Sequence, residues 1–405
     1  MTHVKAGIMD NVEKYQQQLL DQTRKLYRET PVSAATENAY LATPRHCFVR
    51  RYREWGTREW REVTPDNLTE HLATLYANRP VILFGDDDQD IPSTISQPSF
   101  VLRLLDLMRL EPGHSVFELG AGSGWNAALL GRLVAPGGRV TSLEIIPEVA
   151  QRAADNIRSL GISNVDVVAA DGAEGYPDAA PYDRAIFTAG AFDLPRYFYD
   201  QLRDDGLLLV VIKTEGGGDN LFILRKVGGH FESIESMPCG FVQLRGSYQF
   251  QHLEPALIEE AIPEWKDLQR NEVGRRRFWW GGKGRAGFTW TTRGVRSFLG
   301  ITEPTFRTFK TARLDENGIE HHYFGLWDPN NRSLVVAKDD WLTSYGNPGS
   351  GERLMSRLQT WLDLGMPNAS CFDLKVFPID ARVEVGAGQW LVKRRDSQFL
   401  WTLQS

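Results

Sequence analysis

The fold is indicated by one stretch, Val116-Phe117-Glu118-Leu119-Gly120-Ala121-Gly122-Ser123-Gly124, in which an apolar strand runs into three alternate glycines and then a helix. Glycine is needed where a backbone turns sharply and a ligand must approach it without interference from a Cβ atom. The spacing differs from the Gly-x-Gly-x-x-Gly of dinucleotide binders, and no Lys-Ser or Lys-Thr follows as in a phosphate loop. The loop therefore suits a nucleoside that carries no pyrophosphate.

Three acidic residues stand at the ends of successive predicted strands. Glu118 can attract a ligand ammonium, while the helix N-terminus after the glycines can accept a carboxylate. Glu144, twenty-four residues after Gly120, can accept hydrogen bonds from two ribose hydroxyls. Asp171, followed by Gly172, can accept one from an adenine amino group. Each alone would be an ordinary turn residue, but their joint spacing indicates one ligand lying along the strand ends.

The chain around these residues alternates strands and helices. The strands are short and nearly all apolar, as strands buried on both faces must be. Strand–helix alternation of this kind predicts a parallel sheet covered by helices, a doubly wound, Rossmann-like α/β domain. Strands are predicted at 116–119, 140–145, 165–169, 184–188 and 206–212, and helices at 97–108, 125–134, 147–160 and around 195–202.

The chain has 405 residues, more than one compact core usually organises, and its composition changes at about Arg245. Nine of the twelve tryptophans lie between Trp265 and Trp401. We therefore predict three parts: a helical segment over 1–80 that packs on the next domain, the α/β domain over 81–245, and a C-terminal α+β domain over 246–405. Further helices are predicted at 11–28, 64–78 and 351–364, and strands at 321–327, 333–337, 371–377, 390–393 and 399–403.

Composition argues against several classes of protein. No apolar run approaches the length of a membrane-spanning helix and the N-terminus is too polar for a signal peptide, so a cytoplasmic protein without a membrane partner is expected. Three widely spaced cysteines indicate reduced thiols, with neither a disulfide framework nor a CxxC metal site. The aspartates between Asp86 and Asp90 lack the distal glutamate of a calcium loop, so no metal is predicted. A net charge of -6 argues against general nucleic-acid affinity.

Taken together, the motifs resemble the protein-L-isoaspartate O-methyltransferase family of class I S-adenosylmethionine-dependent methyltransferases. The resemblance covers roughly Thr43 to Arg245, a little over half of the chain. The glycines and acids are generic to the cofactor, whereas the first and third motifs are more specific to the family. In chain order the motifs are Thr94-Ile95-Ser96-Gln97-Pro98, Phe117 to Trp125, Ser142-Leu143-Glu144-Ile145-Ile146-Pro147-Glu148, Asp171-Gly172, and Ala180-Pro181-Tyr182-Asp183-Arg184-Ala185-Ile186.

The resemblance implies transfer of the sulfonium methyl group to a carboxylate in a peptide, giving an ester and S-adenosylhomocysteine. Ser96 matches the family's active-site serine and would orient the carboxylate, with Thr94 sharing that role. A carboxylate is already ionised at pH 7, so positioning should dominate catalysis. Without the resemblance, Ser96 could also be a helix N-cap before Pro98. Thr188 matches a loop that faces the substrate. The implied cofactor-binding residues are Glu118, Gly120, Gly122, Gly124, Glu144, Asp171, Gly172 and Thr188.

Three departures from the repair enzymes bear on the substrate: 160 residues follow Arg245, an acidic insertion occupies 81–90, and Ser99-Phe100 replaces a His-containing continuation. Long forms with C-terminal extensions resemble enzymes that act on ribosomally made modified peptides such as lasso peptides, graspetides and lanthipeptides. There an ordinary aspartate is methylated, and the next backbone nitrogen attacks the ester to leave an aspartimide. We expect this function. General isoaspartyl repair is the alternative, and a non-catalytic peptide- or RNA-binding module is a more remote one.

The segment from Arg270 to Arg313 is strongly basic, with eleven Lys or Arg against two acids, Glu272 and Glu303. With its interleaved aromatics it could bind RNA by stacking and phosphate contacts, or an acidic peptide by salt bridges. It could also be a solvated face over a tryptophan core. Because the chemistry concerns a peptide, we favour a modified ribosomal peptide as partner over nucleic acid. The ring type of that peptide, the choice between aspartate and isoaspartate, and the oligomeric state stay open.

Overall fold

The computed structural model of the chain describes residues 2–85, 93–215, 219–250, 255–278, 294–312 and 322–404. Contacts within the chain divide it into two compact units. The first unit comprises Met1–Val210, Phe222–Glu235 and Phe241–Tyr248, and the second comprises Val211–Leu221, Ser236–Gly240 and Gln249–Ser405. Among the helices of the described residues, none is long and apolar enough to cross a membrane.

The first unit contains seven α-helices and eleven strands among the described residues. The helices are α1 (Thr2–Leu26), α2 (Ala34–Leu41), α3 (Leu68–Leu75), α4 (Pro98–Leu107), α5 (Trp125–Val134), α6 (Pro147–Ser159) and α7 (Tyr197–Gln201). The strands are β1 (Arg51–Tyr52), β2 (Arg61–Glu62), β3 (Val81–Phe84), β4 (Ser93–Ile95), β5 (Ser115–Leu119), β6 (Arg139–Glu144), β7 (Val165–Ala169), β8 (Tyr182–Phe187), β9 (Leu202–Ile212), β10 (Asn220–Val227) and β11 (His230–Pro238).

The core of the first unit is a sheet in the order β11-β10-β9-β8-β5-β6-β7. Strand β5 pairs in parallel with both β6 and β8, and the parallel pairing continues to β7 on one side and β9 on the other. Every residue of β5 is buried, as is all of β9 from Gly206 onward. The predicted Rossmann-like α/β fold is therefore confirmed, and its strand order reverses at β5, where such sheets bind ligands.

The N-terminal helices pack within this first unit rather than apart from it. Leu19 and Leu20 of α1 are each 1% exposed. Helix α2 is anchored to α4 because Asp106 accepts hydrogen bonds from the Ser33 backbone amide and from the hydroxyls of Ser33 and Thr36. The helix expected from residue 64 begins only at Leu68, because Asn67 accepts a hydrogen bond from the Thr64 amide and holds the preceding residues in a turn.

The second unit is α+β, as predicted. A six-stranded sheet runs in the order β12-β14-β15-β16-β17-β13, and three further strands pair antiparallel in the order β19-β20-β18. The strands are β12 (Ala256–Leu257), β13 (Glu272–Arg277), β14 (Phe306–Lys310), β15 (His322–Asp328), β16 (Ser333–Lys338), β17 (Trp341–Gly346), β18 (Phe372–Pro378), β19 (Gln389–Lys393) and β20 (Ser397–Leu403). The helices are α8 (Ile258–Ala261), α9 (Trp265–Leu268), α10 (294–302) and α11 (Gly349–Asp363).

Candidate active site

An open cavity with about 1050 Å³ of empty space lies at the carboxyl ends of β5, β6 and β8. Four short segments form most of its wall: the glycine loop Gly120–Ser123, the segment Ser93–Ser96, the segment Phe241–Arg245, and the residues that end β6 and β7. Its position is the one at which doubly wound sheets bind their ligands. Its lining combines backbone amides, carboxylates and apolar side chains, the mixture typical of a cofactor site.

The glycine loop is tied down by hydrogen bonds and keeps space free above it. The amides of Gly120 and Ala121 both donate to the Leu143 carbonyl, at 2.8 and 3.1 Å. The Thr188 hydroxyl donates to the carbonyls of Leu119 and Gly120, at 2.9 and 2.6 Å, and would collide with a Cβ atom at residue 120. Thr188 thus lines the cavity and also clamps the loop.

Gly122 lies in the left-handed region with a φ of +53°. A Cβ atom built there would lie 3.7 Å from both the Ser93 Oγ and the Thr94 carbonyl oxygen, so it would fill space between the loop and the serine segment. Gly124 has a different task, because it does not line the cavity and its Cβ would lie 3.0 Å from the Ala153 carbonyl on α6. Gly122 therefore keeps the cavity open, and Gly124 permits close packing of α5 against α6.

Glu144 and Asp171 line the cavity and each holds two backbone amides. The Glu144 carboxylate accepts from Gly122 N at 2.9 Å and from Ile146 N at 3.2 Å. Burial raises the pKa of Glu144, while these two hydrogen bonds and the nearby Arg245 oppose the increase. Each carboxylate oxygen has a second lone pair that can accept a ligand hydroxyl, the role predicted for Glu144.

Asp171 caps the short helical turn that follows β7. Its Oδ1 accepts from Ala173 N at 3.0 Å, and its Oδ2 accepts from Ser247 N at 2.7 Å. The second bond holds the end of the segment Phe241–Arg245 against the cavity. Gly172 is buried beside it, where a Cβ atom would press on the Leu119 side chain.

Glu118 occupies a different place from the one its position in the sequence suggested. Its side chain is fully buried and is not among the residues that line the cavity. It accepts hydrogen bonds from the Ser142 hydroxyl and from Asn126 Nδ2, the latter at 2.7 Å, and Asn126 does line the cavity. Burial raises the pKa of Glu118 to about 7. Contact of Glu118 with a ligand therefore runs through Asn126.

Ser96 and Thr94 both line the cavity opposite the glycine loop. Thr94 lies on β4, and Ser96 follows this strand in the link to α4. Ser93 lines the cavity as well, so three hydroxyl-bearing residues line it from one segment of four residues. The structure thus brings the predicted catalytic residues to the same cavity as Gly120, Gly122, Glu144, Asp171, Gly172 and Thr188.

A buried arginine, not identified from the sequence, holds this segment from behind. Arg45 is 0% exposed, and its guanidinium donates to the carbonyls of Ser96 at 2.7 Å and Ile95 at 3.2 Å. It also lies 5.0 Å from the centre of the Trp125 ring, the first residue of α5. Burial lowers the pKa of Arg45 to about 9. Its place in an arginine-rich stretch gave no signal, because its partners are some fifty residues away in the chain.

The segment Phe241–Arg245 was also missed. The ring of Phe241, the first residue of the segment, lies 6.0 Å from that of Phe100 on α4. The Gly190 amide donates to the Val242 carbonyl at 2.7 Å, and the Gly190 carbonyl accepts from the Leu244 amide at 2.9 Å, so the segment is fixed beside the loop after β8. Nothing local marks these residues as part of a site, since the chain returns to the cavity only after β9, β10 and β11.

Comparison with known proteins identifies the family of the chain. The family described as protein-L-isoaspartate(D-aspartate) O-methyltransferase matches residues 66–249. A protein-L-isoaspartate O-methyltransferase of Methanopyrus kandleri is 38% identical over 217 residues, which cover 53% of this chain and 85% of the relative. One of Ignicoccus hospitalis is 38% identical over 151 residues, covering 37% and 72%. The chain belongs to the protein-L-isoaspartate O-methyltransferase family. It is a carboxyl O-methyltransferase that uses S-adenosylmethionine.

The site fits this cofactor in its chemistry. Carboxylates at the ends of β6 and β7 suit ribose and adenine, and the Asn126 amide in the cavity wall suits the amino acid part. The space above Gly122, which a side chain would reduce, leaves room beside Ser93 and Thr94. A solved structure titled protein-L-isoaspartate O-methyltransferase has the same fold over 89% of this chain and 96% of its own, with a TM-score of 0.52 and 22% identity.

Other predicted features fall partly outside the described residues. Asp86 to Asp90, His321, and the aromatics Trp279, Trp280, Phe288 and Trp290 of the basic segment lie there. Within the ranges that the structure describes, no three His, Cys, Asp or Glu side chains lie close enough to hold a metal. The basic residues Arg275 to Arg277 lie on β13, which is exposed along its whole length. The three cysteines are free, as predicted.

Proposed function

We propose that the protein methylates the side-chain carboxylate of one aspartate in a ribosomally made, conformationally constrained peptide, and that the ester then closes to an aspartimide. The observation that carries the proposal is that Ser96 and Thr94 face one cavity with the glycine loop and Glu144. The peptide and the cofactor are both made in the cytoplasm, where we expect the reaction to occur.

S-adenosylmethionine, when bound, supplies an electrophilic methyl group. The task of the chain's own residues is to bring a carboxylate oxygen into line with it and to exclude water. Ser96 would donate a hydrogen bond to one carboxylate oxygen and leave the other free to attack. No general base is needed, because the carboxylate is ionised at neutral pH. Arg45 holds the Ser96 carbonyl, so the segment does not shift as the charge on the substrate is lost.

The ester is a better acceptor than the carboxylate for the backbone nitrogen of the next residue. That nitrogen attacks the ester carbonyl, methanol leaves with the amide proton, and a five-membered succinimide remains. A ring in the peptide that holds the aspartate and the following amide in one geometry speeds this step. The enzyme need supply nothing after the methyl transfer.

Two observations support a dedicated peptide substrate. The family model matches residues 66–249, which leaves most of the second unit outside the match. That unit carries the exposed strand β13, with arginines at 275, 276 and 277. A large additional unit with a basic strand suits recognition of one acidic peptide, whereas general repair requires tolerance of many sequences.

General repair of isoaspartyl residues is the second candidate. It is favoured by the names of the relatives and by the solved structure described above, whose fold resembles this chain over both units. In that case the same cavity would accept an isoaspartyl carboxylate, and the second unit would serve another purpose.

One assay separates the two candidates. The purified full chain is incubated with S-adenosylmethionine and either a linear isoaspartyl peptide or a modified peptide encoded beside the gene, and release of S-adenosylhomocysteine is measured. Tailoring predicts turnover of the modified peptide with a mass loss of water after methylation and ring closure. Efficient turnover of the isoaspartyl peptide alone would restore repair. Ser96→Ala serves as the control for methyl transfer at the proposed site.

A further inference from the structure

A second, smaller cavity adjoins the cofactor cavity and has about 460 Å³ of empty space. Ser93, Gly122 and Ser123 line both cavities, so the two are neighbours across the glycine loop and β4. We call it the arginine pocket after the three arginines in its wall. Its remaining lining is mainly apolar. The residues that characterise it are Arg50, Arg51, Arg152, Phe48, Phe84 and Val149.

The three arginines come from two separate parts of the first unit. Arg51 is the first residue of β1, Arg50 precedes it, and Arg152 lies on α6. The Arg51 guanidinium is held over the Trp60 ring at 4.5 Å. In the part of the chain that the structure describes, none of the three forms an ion pair with a carboxylate. Three arginines therefore line one pocket of a protein whose net charge is -6; Arg51 is half-buried, whereas Arg50 and Arg152 are exposed.

The apolar part of the pocket strengthens its attraction for an anion. Phe48 is 2% exposed and Val149 is 6% exposed, so low-dielectric groups form part of the same pocket wall as the arginines. Charges interact more strongly beside such groups than in open water. Guanidinium groups bind carboxylates through paired hydrogen bonds, and arginine is the preferred residue for that geometry.

The pocket is within reach of a peptide bound at the methyl-transfer site. Ser93 lines the pocket and Ser96, three residues later, lines the cofactor cavity. Three residues of extended chain span at most about 10 Å. A substrate that places its reacting carboxylate at Ser96 can therefore place a group two or three residues away in the arginine pocket.

We infer that the arginine pocket binds a second carboxylate of the substrate peptide, two or three residues from the one that is methylated. The inference rests on the proposed function only in requiring a peptide substrate. The second carboxylate has two sources, the side chain of a flanking Asp or Glu and a free C-terminus of the peptide. The pocket makes the enzyme selective for acidic sequence around the target.

The test compares synthetic peptides with and without this second charge. Each peptide is made in an isoaspartyl form and in a ring-constrained aspartyl form, with Glu or Gln at the second or third residue on either side. A parallel set has a free or an amidated C-terminus. The full chain and S-adenosylmethionine are used, and S-adenosylhomocysteine release gives kcat/KM. Replacing Glu by Gln should lower kcat/KM about tenfold, mainly through KM, because charge-assisted hydrogen bonds to the half-buried Arg51 and to its neighbours are lost.

Variants of the enzyme assign the effect to the pocket. In Arg51→Gln and Arg152→Gln the difference between Glu and Gln peptides should largely disappear. The matched control is Arg158→Gln, which is on the same helix α6 and exposed like Arg152, but lies outside the pocket and is paired with Asp155. That variant should keep the tenfold preference. The unfolding temperature of each variant is measured to check that it is folded.

Each result decides the inference separately from the proposed function. If the unsubstituted enzyme has equal kcat/KM for charged and neutral peptides, the inference that the arginine pocket binds a second carboxylate is wrong, even if constrained aspartyl peptides are methylated. A preference that persists in Arg152→Gln and Arg51→Gln overturns it too. If only isoaspartyl peptides react, the tailoring function fails and the charge comparison is read from those peptides. If no peptide reacts, fluorescence anisotropy with labelled Glu and Gln peptides measures the same difference as Kd, and equal values overturn the pocket.

Discussion

Gly122→Ala should separate cofactor binding from stability. The residue has a φ of +53°, and a Cβ atom there meets nothing closer than 3.7 Å. The folded protein therefore accommodates the methyl group, and the cost is that of an L-residue in the left-handed region, about 1 kcal/mol. For a unit of this size that corresponds to a fall in unfolding temperature of about 2–4 °C.

The same methyl group occupies cavity space between the glycine loop and Ser93. Overfilling a packed site costs roughly 1–3 kcal/mol, so the affinity for S-adenosylhomocysteine should fall about fivefold to 150-fold. Gly122→Val, which adds two further carbons, should bind none measurably. The matched control is Gly161→Ala, because Gly161 has a φ of +67°, no atom within 4 Å of its Cβ position, and no place in the cavity.

Titration calorimetry with S-adenosylhomocysteine and differential scanning fluorimetry give the two numbers for each variant. We expect Gly122→Ala and Gly161→Ala to lose similar stability, and only Gly122→Ala to lose affinity. If Gly122→Ala keeps the affinity of the unsubstituted protein, the assignment of this cavity to the cofactor is wrong. If Gly122→Ala fails to fold while Gly161→Ala folds, a Cβ atom at position 122 does not have free space around it in the folded protein.

Three further predictions concern single side chains of the site. Because burial raises the pKa of Glu118 to about 7, the folded protein retains a proton that the unfolded chain loses above pH 4.5. The free energy of unfolding should therefore fall by about 3 kcal/mol as pH rises from 4.5 to 7. Urea titrations at several pH values measure this dependence, which Glu118→Gln should reduce. Arg45→Lys keeps the charge but cannot bind two carbonyls at once, so kcat should fall at least about tenfold while the Kd for S-adenosylhomocysteine stays nearly unchanged. An unchanged kcat would show that Arg45 does not position Ser96. Asp171→Ala removes the acceptor for the Ser247 amide, so the free energy of unfolding should fall by about 1–3 kcal/mol. The affinity for the cofactor should fall as well, and calorimetry that shows full affinity would contradict this second effect.

Patterns of short range were sufficient for much of the fold. The helix Trp125–Val134 and the strand Val165–Ala169 have the predicted bounds, because buried strands and amphipathic helices leave their period in adjacent residues. Strands β10 and β11 were not predicted, although β10 is apolar and mostly buried. Strand β13 was not predicted either, because all six of its residues are exposed and no alternation of apolar and polar residues marks it.

The amino-acid sequence by itself determined the class of the first unit, the position of the glycine loop, and the acids that end β5, β6 and β7, because each depends on neighbouring residues. Only the tertiary structure decided which of these face the cavity. Glu118 turns inward to Ser142, a residue of another strand, and Arg45 reaches Ser96 across fifty-one positions. Such contacts depend on how segments distant in the sequence pack together. No periodic pattern among neighbouring residues predicts that packing.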